Sequence, residues 1–113
     1  MTNAEGQSGM AQVWGKRSAW VDYSGKAEGA AVGVAIFDHP ANPRHPTWWH
    51  ARDYGLFAAN PFGEGSFTGD KSKNGSMTLA PGKSVRFRYR VYIHDGDTAQ
   101  AGVAAAYRSW AGR

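Results

Sequence analysis

The 113-residue chain contains no cysteine. Disulfides, zinc ribbons, iron–sulfur clusters and thiol nucleophiles are thereby excluded, and any metal must be held by His, Asp or Glu. No apolar run approaches the length of a membrane-crossing helix, so no membrane partner is expected. The opening MTNAEGQSGM lacks a basic segment followed by an apolar one, and no secretory signal is read in this chain. A secreted or periplasmic location, with any leader trimmed away, would suit the metal chemistry considered below. No serine sits in a G-x-S-x-G elbow, and no glycine-rich loop opens a helix in the manner of a phosphate-binding loop. An esterase and a nucleotide cofactor are therefore not expected. The net charge of +4 is moderate and its cations are not gathered into a dense stripe, so no nucleic-acid partner is expected either.

What is present is glycine, 15 residues of it, and aromatic side chains in short apolar runs. That composition predicts an all-β antiparallel sandwich or jelly roll rather than a helix bundle. A disordered tail over 1–10 and a single domain over 11–113 are expected. Short strands are predicted at 12–14 and 18–23, with a turn at Ser24-Gly25-Lys26. AVGVAIF at 31–37 reads as a buried strand with Val32, Val34 and Ile36 on one face and small residues on the other. Further short strands are predicted at 55–59 and 77–79, separated by a mobile loop over 64–75. From Ser84 to His94, Val85, Phe87, Tyr89, Val91 and Ile93 alternate with Arg86, Arg88, Arg90, Tyr92 and His94. This predicts one long strand with its apolar face in the core. Asp97 or Thr98 is placed to cap a C-terminal helix whose Val103, Tyr107 and Trp110 form a docking stripe.

The densest chemistry lies between Asp38 and Gly63, which holds three of the four histidines and four of the five prolines. The prolines force Asp38–Pro46 into an extended loop. Beyond it, alternation places Trp48, His50 and Arg52 on one strand face and Trp49 on the other. Imidazoles on a stiff frame are what copper or zinc requires, and His39, His45, His50 and His94 are the candidate ligands. No diagnostic metal spacing supports them, and the plainer reading is that these rings hydrogen-bond loop carbonyls and cap the proline-rich turns. Asp38 could orient one of these rings. His50, Tyr54 and Asp38 are the candidate catalytic groups. Trp48 stacking on a sugar ring, with Arg52, Asn60, Arg88, Arg90 and Tyr92 as polar companions, describes a carbohydrate site. The arginines alone read as a solvated sheet face or as a grip on an acidic sugar or phosphate.

One ordered series of motifs carries a family resemblance. WVDYSG at 20–25, GVAIFDHPANP at 33–43, HPTWWHARDYG at 45–55, NPFG at 60–63 and YRVYIHDGD at 89–97 resemble the bacterial family that bears the label methane oxygenase PmoA. The resemblance spans residues 11–111 and corresponds to the C-terminal part of longer members. It implies a β-sandwich and a link to carbohydrate metabolism. A short member either closes a smaller sandwich or pairs its exposed sheet edge with a second copy, and a homodimer is expected. The expectation is a small carbohydrate-active protein, in its sharpest form a copper (otherwise zinc) enzyme acting oxidatively or hydrolytically on a glycan. The alternatives are a metal-free carbohydrate-binding module and a scaffold that matters only as an oligomer.

Overall fold

Alternating residues in the first third of the chain build the larger of two antiparallel sheets in the computed structural model, which describes residues 1–113. Its strands are β1 (Thr2–Asn3), β2 (Trp20–Ala27), β3 (Ala30–Asp38) and, from much later in the chain, β6 (Tyr89–Asp95), in the order β1-β2-β3-β6. Between β3 and β6 the chain forms a second sheet from β4 (Trp48–Ala51) and β5 (Phe57–Asn60). Short helices α1 (Met10–Val13) and α2 (Glu64–Thr68) pack around it, and α3 (Val103–Ala111) closes the chain. The protein is thus an all-β sandwich-like fold with a short C-terminal helix. No helix is long and apolar enough to cross a membrane.

The register of the large sheet fixes which side chains share a face. Pairing of Trp20 with Phe37, Asp22 with Ala35, Gly33 with His94 and Ala35 with Tyr92 puts these residues on one side. There α3 docks with the predicted stripe: Trp20, Ala35, Phe37, Val103 and Trp110 form one buried cluster, with Tyr92 and Tyr107 packed against it. The small residues of β3 permit close approach on this face. A methyl group at Gly33 would lie 2.5 Å from the His94 ring, so only glycine admits that imidazole. On the opposite face Val21 packs with Val13, Trp49 and Ala51, and Ile36, Phe57 and Ala59 border the cluster. The two clusters are what bind sheet to sheet and helix to sheet.

Several expectations are corrected. The first ten residues belong to the fold: β1 pairs with β2, and Asn3 is buried with its carboxamide oxygen accepting from the Glu5 and Gln7 amides. The local polarity that reads as disorder is instead hydrogen-bonding capacity used to close a turn. Of the residues expected as a strand at 12–14, Gln12 and Val13 lie in helix α1 and Trp14 caps its end. β2 continues through Ser24-Gly25-Lys26, and the turn comes at Glu28 and Gly29, both at positive φ.

The largest correction concerns the arginine strand. Only Tyr89–Asp95 is paired, neither 84–88 nor 77–79 is a strand, and the faces are reversed. His94 is buried and Tyr92 half-buried beneath α3 and the turn before it, whereas Val85, Tyr89, Val91 and Ile93 are exposed. Likewise Val34, expected in the core, is exposed. Alternation separates two faces, but only the covering layer decides which is inside. Here the β4–β5 sheet spans the β2 side of the face and leaves the β3–β6 side bare.

Candidate functional site

The loop after β3 is organised by one buried carboxylate. Asp38 Oδ1 accepts from Asn42 Nδ2 at 2.7 Å, while Oδ2 accepts from the Thr47 amide at 3.0 Å and faces His45 Nδ1 at 2.6 Å. Since a carboxylate only accepts, His45 carries its proton on Nδ1 and its half-buried ring keeps Nε2 free as a base or ligand. The Asp38 charge is felt nearby: burial, and then the Asp38 charge, push the Tyr89 and Tyr107 hydroxyls above the usual tyrosine range. Asn42 does more than hold Asp38. Its Nδ2 also donates to the Arg88 carbonyl at 2.7 Å, and its Oδ1 accepts from the Arg88 amide at 2.6 Å, which joins the loop to the start of β6. The next loop is attached by Arg44, whose guanidinium donates to the carbonyls of Pro61, Gly75 and Ser76. Residues 64–75, expected to be mobile, are held in a tight coil containing α2. A methyl group at Gly75 would lie 2.0 Å from the Phe62 carbonyl oxygen. The largest concavity of the molecule, about 610 Å³, lies in this coil and not at the histidines.

The outer face of β4 is the second concentration of chemistry. As alternation predicts, Trp48 and His50 point outward and Trp49 is fully buried. They join two residues whose role the sequence did not show. Trp14, beside α1, meets His50 edge-on at 6.2 Å and Phe67 at 5.3 Å, and Phe67 of α2 lies 6.4 Å from Trp48. Arg52 stacks on Trp14 at 4.4 Å and Arg17 on Trp48 at 5.4 Å. The Trp14 indole Nε1 is the one buried side-chain polar atom without a partner. A cleft of about 180 Å³ adjoins the Trp48 ring, lined by Arg17, Arg44, Trp48, Pro61, Glu64 and Asn74.

The four histidines do not converge. No group of three or more His, Asp or Glu side chains is placed to hold a metal. His94 is committed to Asp22 at 2.7 Å and to the Asp95 carbonyl. His39 faces the Arg88 guanidinium, a poor setting for a cation. The His50 ring packs between Trp14 and Phe67. His45 keeps one nitrogen without a partner and the His50 ring makes no side-chain hydrogen bond, but the four rings are not gathered, so the expected quartet does not fit a single copper or zinc ion. The other expected residues are likewise dispersed. Tyr54 is 76% exposed in a turn. Asn60 closes its own turn onto Phe62, and the Tyr92 hydroxyl donates to Ala101 to anchor the turn before α3. Arg90 lies over Trp110, remote in register from β4. Spacing could not reveal this dispersal, because it depends on which face of which sheet each residue joins.

Comparison with known proteins corrects the resemblance as well. The matching family model is that described as "Family of unknown function (DUF6807)", over residues 1–108, and no match to a PmoA family is found. The match includes the N-terminal residues that pair as β1. No curated protein and no solved structure shows significant similarity to the chain. The chain belongs to the DUF6807 family, a family of unknown function.

Proposed function

We propose that this domain binds carbohydrate without a metal, using the outer face of β4. The observation that carries this reading is the half-buried Trp48 ring bordering a cleft with two guanidiniums, the Glu64 carboxylate and the Asn74 amide. An indole face removes the apolar side of a pyranose from water, while fixed donors and acceptors take its hydroxyls. At about 180 Å³ the cleft suits one sugar ring of a surface-bound chain rather than an enclosed ligand. The test is titration calorimetry against a panel of soluble polysaccharides. Trp48→Ala is expected to weaken binding about tenfold, in keeping with the energy of one aromatic contact, and Glu64→Gln to weaken it less. No binding by the native protein, or native-like binding by Trp48→Ala, would sink the proposal. The enzymatic alternative rests on His45: polysaccharide shortened by the native protein but not by His45→Ala would favour it.

We further propose that the domain works as a homodimer through the bare side of its large sheet. Val34, Val91 and Ile93 are exposed at 37%, 60% and 77%, and β6 has a free edge. Apolar rows of this kind are normally covered. Face-to-face stacking of two copies covers the valines and isoleucine of both. Sedimentation velocity is expected to show a dimer that Ile93→Lys converts to a folded monomer. A native monomer at all accessible concentrations would remove the idea.

A further inference from the structure

His39 continues the α3-side face of β3 beyond Phe37 and is 6% exposed, its ring edge-on to Trp110 at 5.0 Å. Its Nδ1 accepts the backbone N–H of Ala41 at 3.0 Å. A backbone amide cannot turn away from its partner, so Nδ1 carries no hydrogen and the neutral ring bears its proton on Nε2. Yet Nε2 faces Arg88 Nη1 at 3.2 Å, and a guanidinium only donates. Two donors therefore confront each other with no acceptor between them, one of them on a buried ring.

The surroundings supply no acceptor for this pair. The only ion pairs in the structure are Asp38–His45 and Asp22–His94. Asp38, adjacent in sequence, belongs to the opposite face of β3 and is taken up by Asn42, Thr47 and His45. Meanwhile the Arg88 main chain is fixed on three sides: its amide donates to Asn42 Oδ1, and its carbonyl accepts from Asn42 Nδ2 and from the His39 amide at 3.2 Å. A second guanidinium, Arg90, lies 5.8 Å over the Trp110 ring that meets His39. The exposed Arg88 and Arg90 side chains open this corner to solvent.

We propose that His39 Nε2–H and the Arg88 guanidinium, supported by Arg90, form a binding corner for an oxyanion, a carboxylate or a phosphate group. One oxygen placed between the two donors accepts from both, and a second oxygen takes the remaining guanidinium fork. The corner lies on the face away from β4 and does not depend on the sugar platform there. A uronate carboxylate and a phosphate share this chemistry, and the experiment separates them.

The test is NMR of the intact protein, following the His39 ring nitrogens and the arginine side-chain resonances. In the free protein the His39 ring is expected as the neutral Nε2–H tautomer. Titration with inorganic phosphate and with sodium glucuronate should give saturable shifts at His39 and Arg88. Glucose and sodium chloride at matched concentration should not, and the anion saturating at lower concentration identifies the source. Arg88→Gln changes an exposed side chain and leaves its main-chain bonds to Asn42 in place. It is expected to weaken anion binding at least tenfold, whereas Trp48→Ala leaves it unchanged. An Nδ1–H tautomer, an equal response to chloride, or undiminished binding by Arg88→Gln would overturn the proposal. Loss of polysaccharide binding in Trp48→Ala alone bears only on the β4 platform.

Discussion

The molecule holds two aspartate–histidine pairs of nearly equal length, and they have little else in common. Asp22 and His94 meet at 2.7 Å across the large sheet, joining β2 to β6 over Gly33, and both are buried. Asp38 and His45 meet at 2.6 Å within one loop, with the carboxylate buried and the imidazole partly open. In the first pair both ring nitrogens face acceptors, Asp22 Oδ1 and the Asp95 carbonyl, so the ring is held doubly protonated. In the second, Nδ1 is engaged and Nε2 is spare. Burial opposes charge on His94 most strongly. The hydrogen bonds that the ring donates to Asp22 and to the backbone at Asp95 and Gly96, with the Asp22 charge, together outweigh it, and its pKa rises. The same two residue types thus make a structural cross-brace in one place and an accessible base in the other. What separates them is whether the second nitrogen has a partner.

The comparison is broken most severely at Asp22. Asp22→Ala removes the partner of His94 and also that of the Thr98 hydroxyl, which donates to Oδ2 at 2.6 Å. A buried imidazolium left uncompensated costs about 3–5 kcal/mol. In a domain of this size that lowers the melting temperature by more than about 10 °C. Calorimetry or thermal denaturation followed by circular dichroism measures it. A loss below about 1 kcal/mol would mean that the pair does not brace the sheet.

Asp38→Asn should cost less, about 1–3 kcal/mol. The amide retains one acceptor oxygen but turns a second donor toward groups that already donate: the Asn42 side chain, the Thr47 amide and His45 Nδ1. Because Asn42 also holds Arg88, the damage should spread to the start of β6. Hydrogen exchange would show loosened amides at Thr47 and Arg88. If only the 38–47 loop changes, the loop and strand are not coupled through Asn42.

How much of this was legible in the sequence differs between the pairs. Asp38, His45 and the prolines between them are neighbours in the chain, and an aspartate orienting a nearby ring is readable from such a cluster. Asp22 and His94 are 72 residues apart, and their meeting depends on β6 returning beside β3. The same limit governs the rest. The alternation at Trp48 and Trp49 and the α3 stripe were readable, since each reports a local period. The faces of β6 were not, because its arginine-bearing side is covered by a helix that follows it, and its valine side by nothing. The histidine quartet reads as one site only if proximity along the chain is equated with proximity in space. Trp14 and Phe67 carry no sequence signal, because nothing local marks a residue as completing another strand's surface.

A pH series sharpens the comparison more gently. The folded pKa of His94 lies above its unfolded value, so its contribution is fully present below the unfolded value of about 6.5 and is lost as pH rises through the folded value. Native stability relative to His94→Gln should therefore decline from acid toward alkaline pH. A difference that grows with pH would show that His94 is held neutral.

The smallest effect on stability is expected at His45. His45→Gln removes one donor from a carboxylate that keeps two others, Asn42 and Thr47, and should cost about 1 kcal/mol. Reactivity should change much more than stability. The spare Nε2 of this partly open ring is within reach of reagent, so diethyl pyrocarbonate should modify His45 quickly. His94, with both nitrogens engaged, should resist until the protein unfolds. Peptide mass spectrometry after brief treatment distinguishes the two. Equal rates would erase the contrast between brace and base, while rapid labelling at His45 alone would locate the accessible ring of the two pairs.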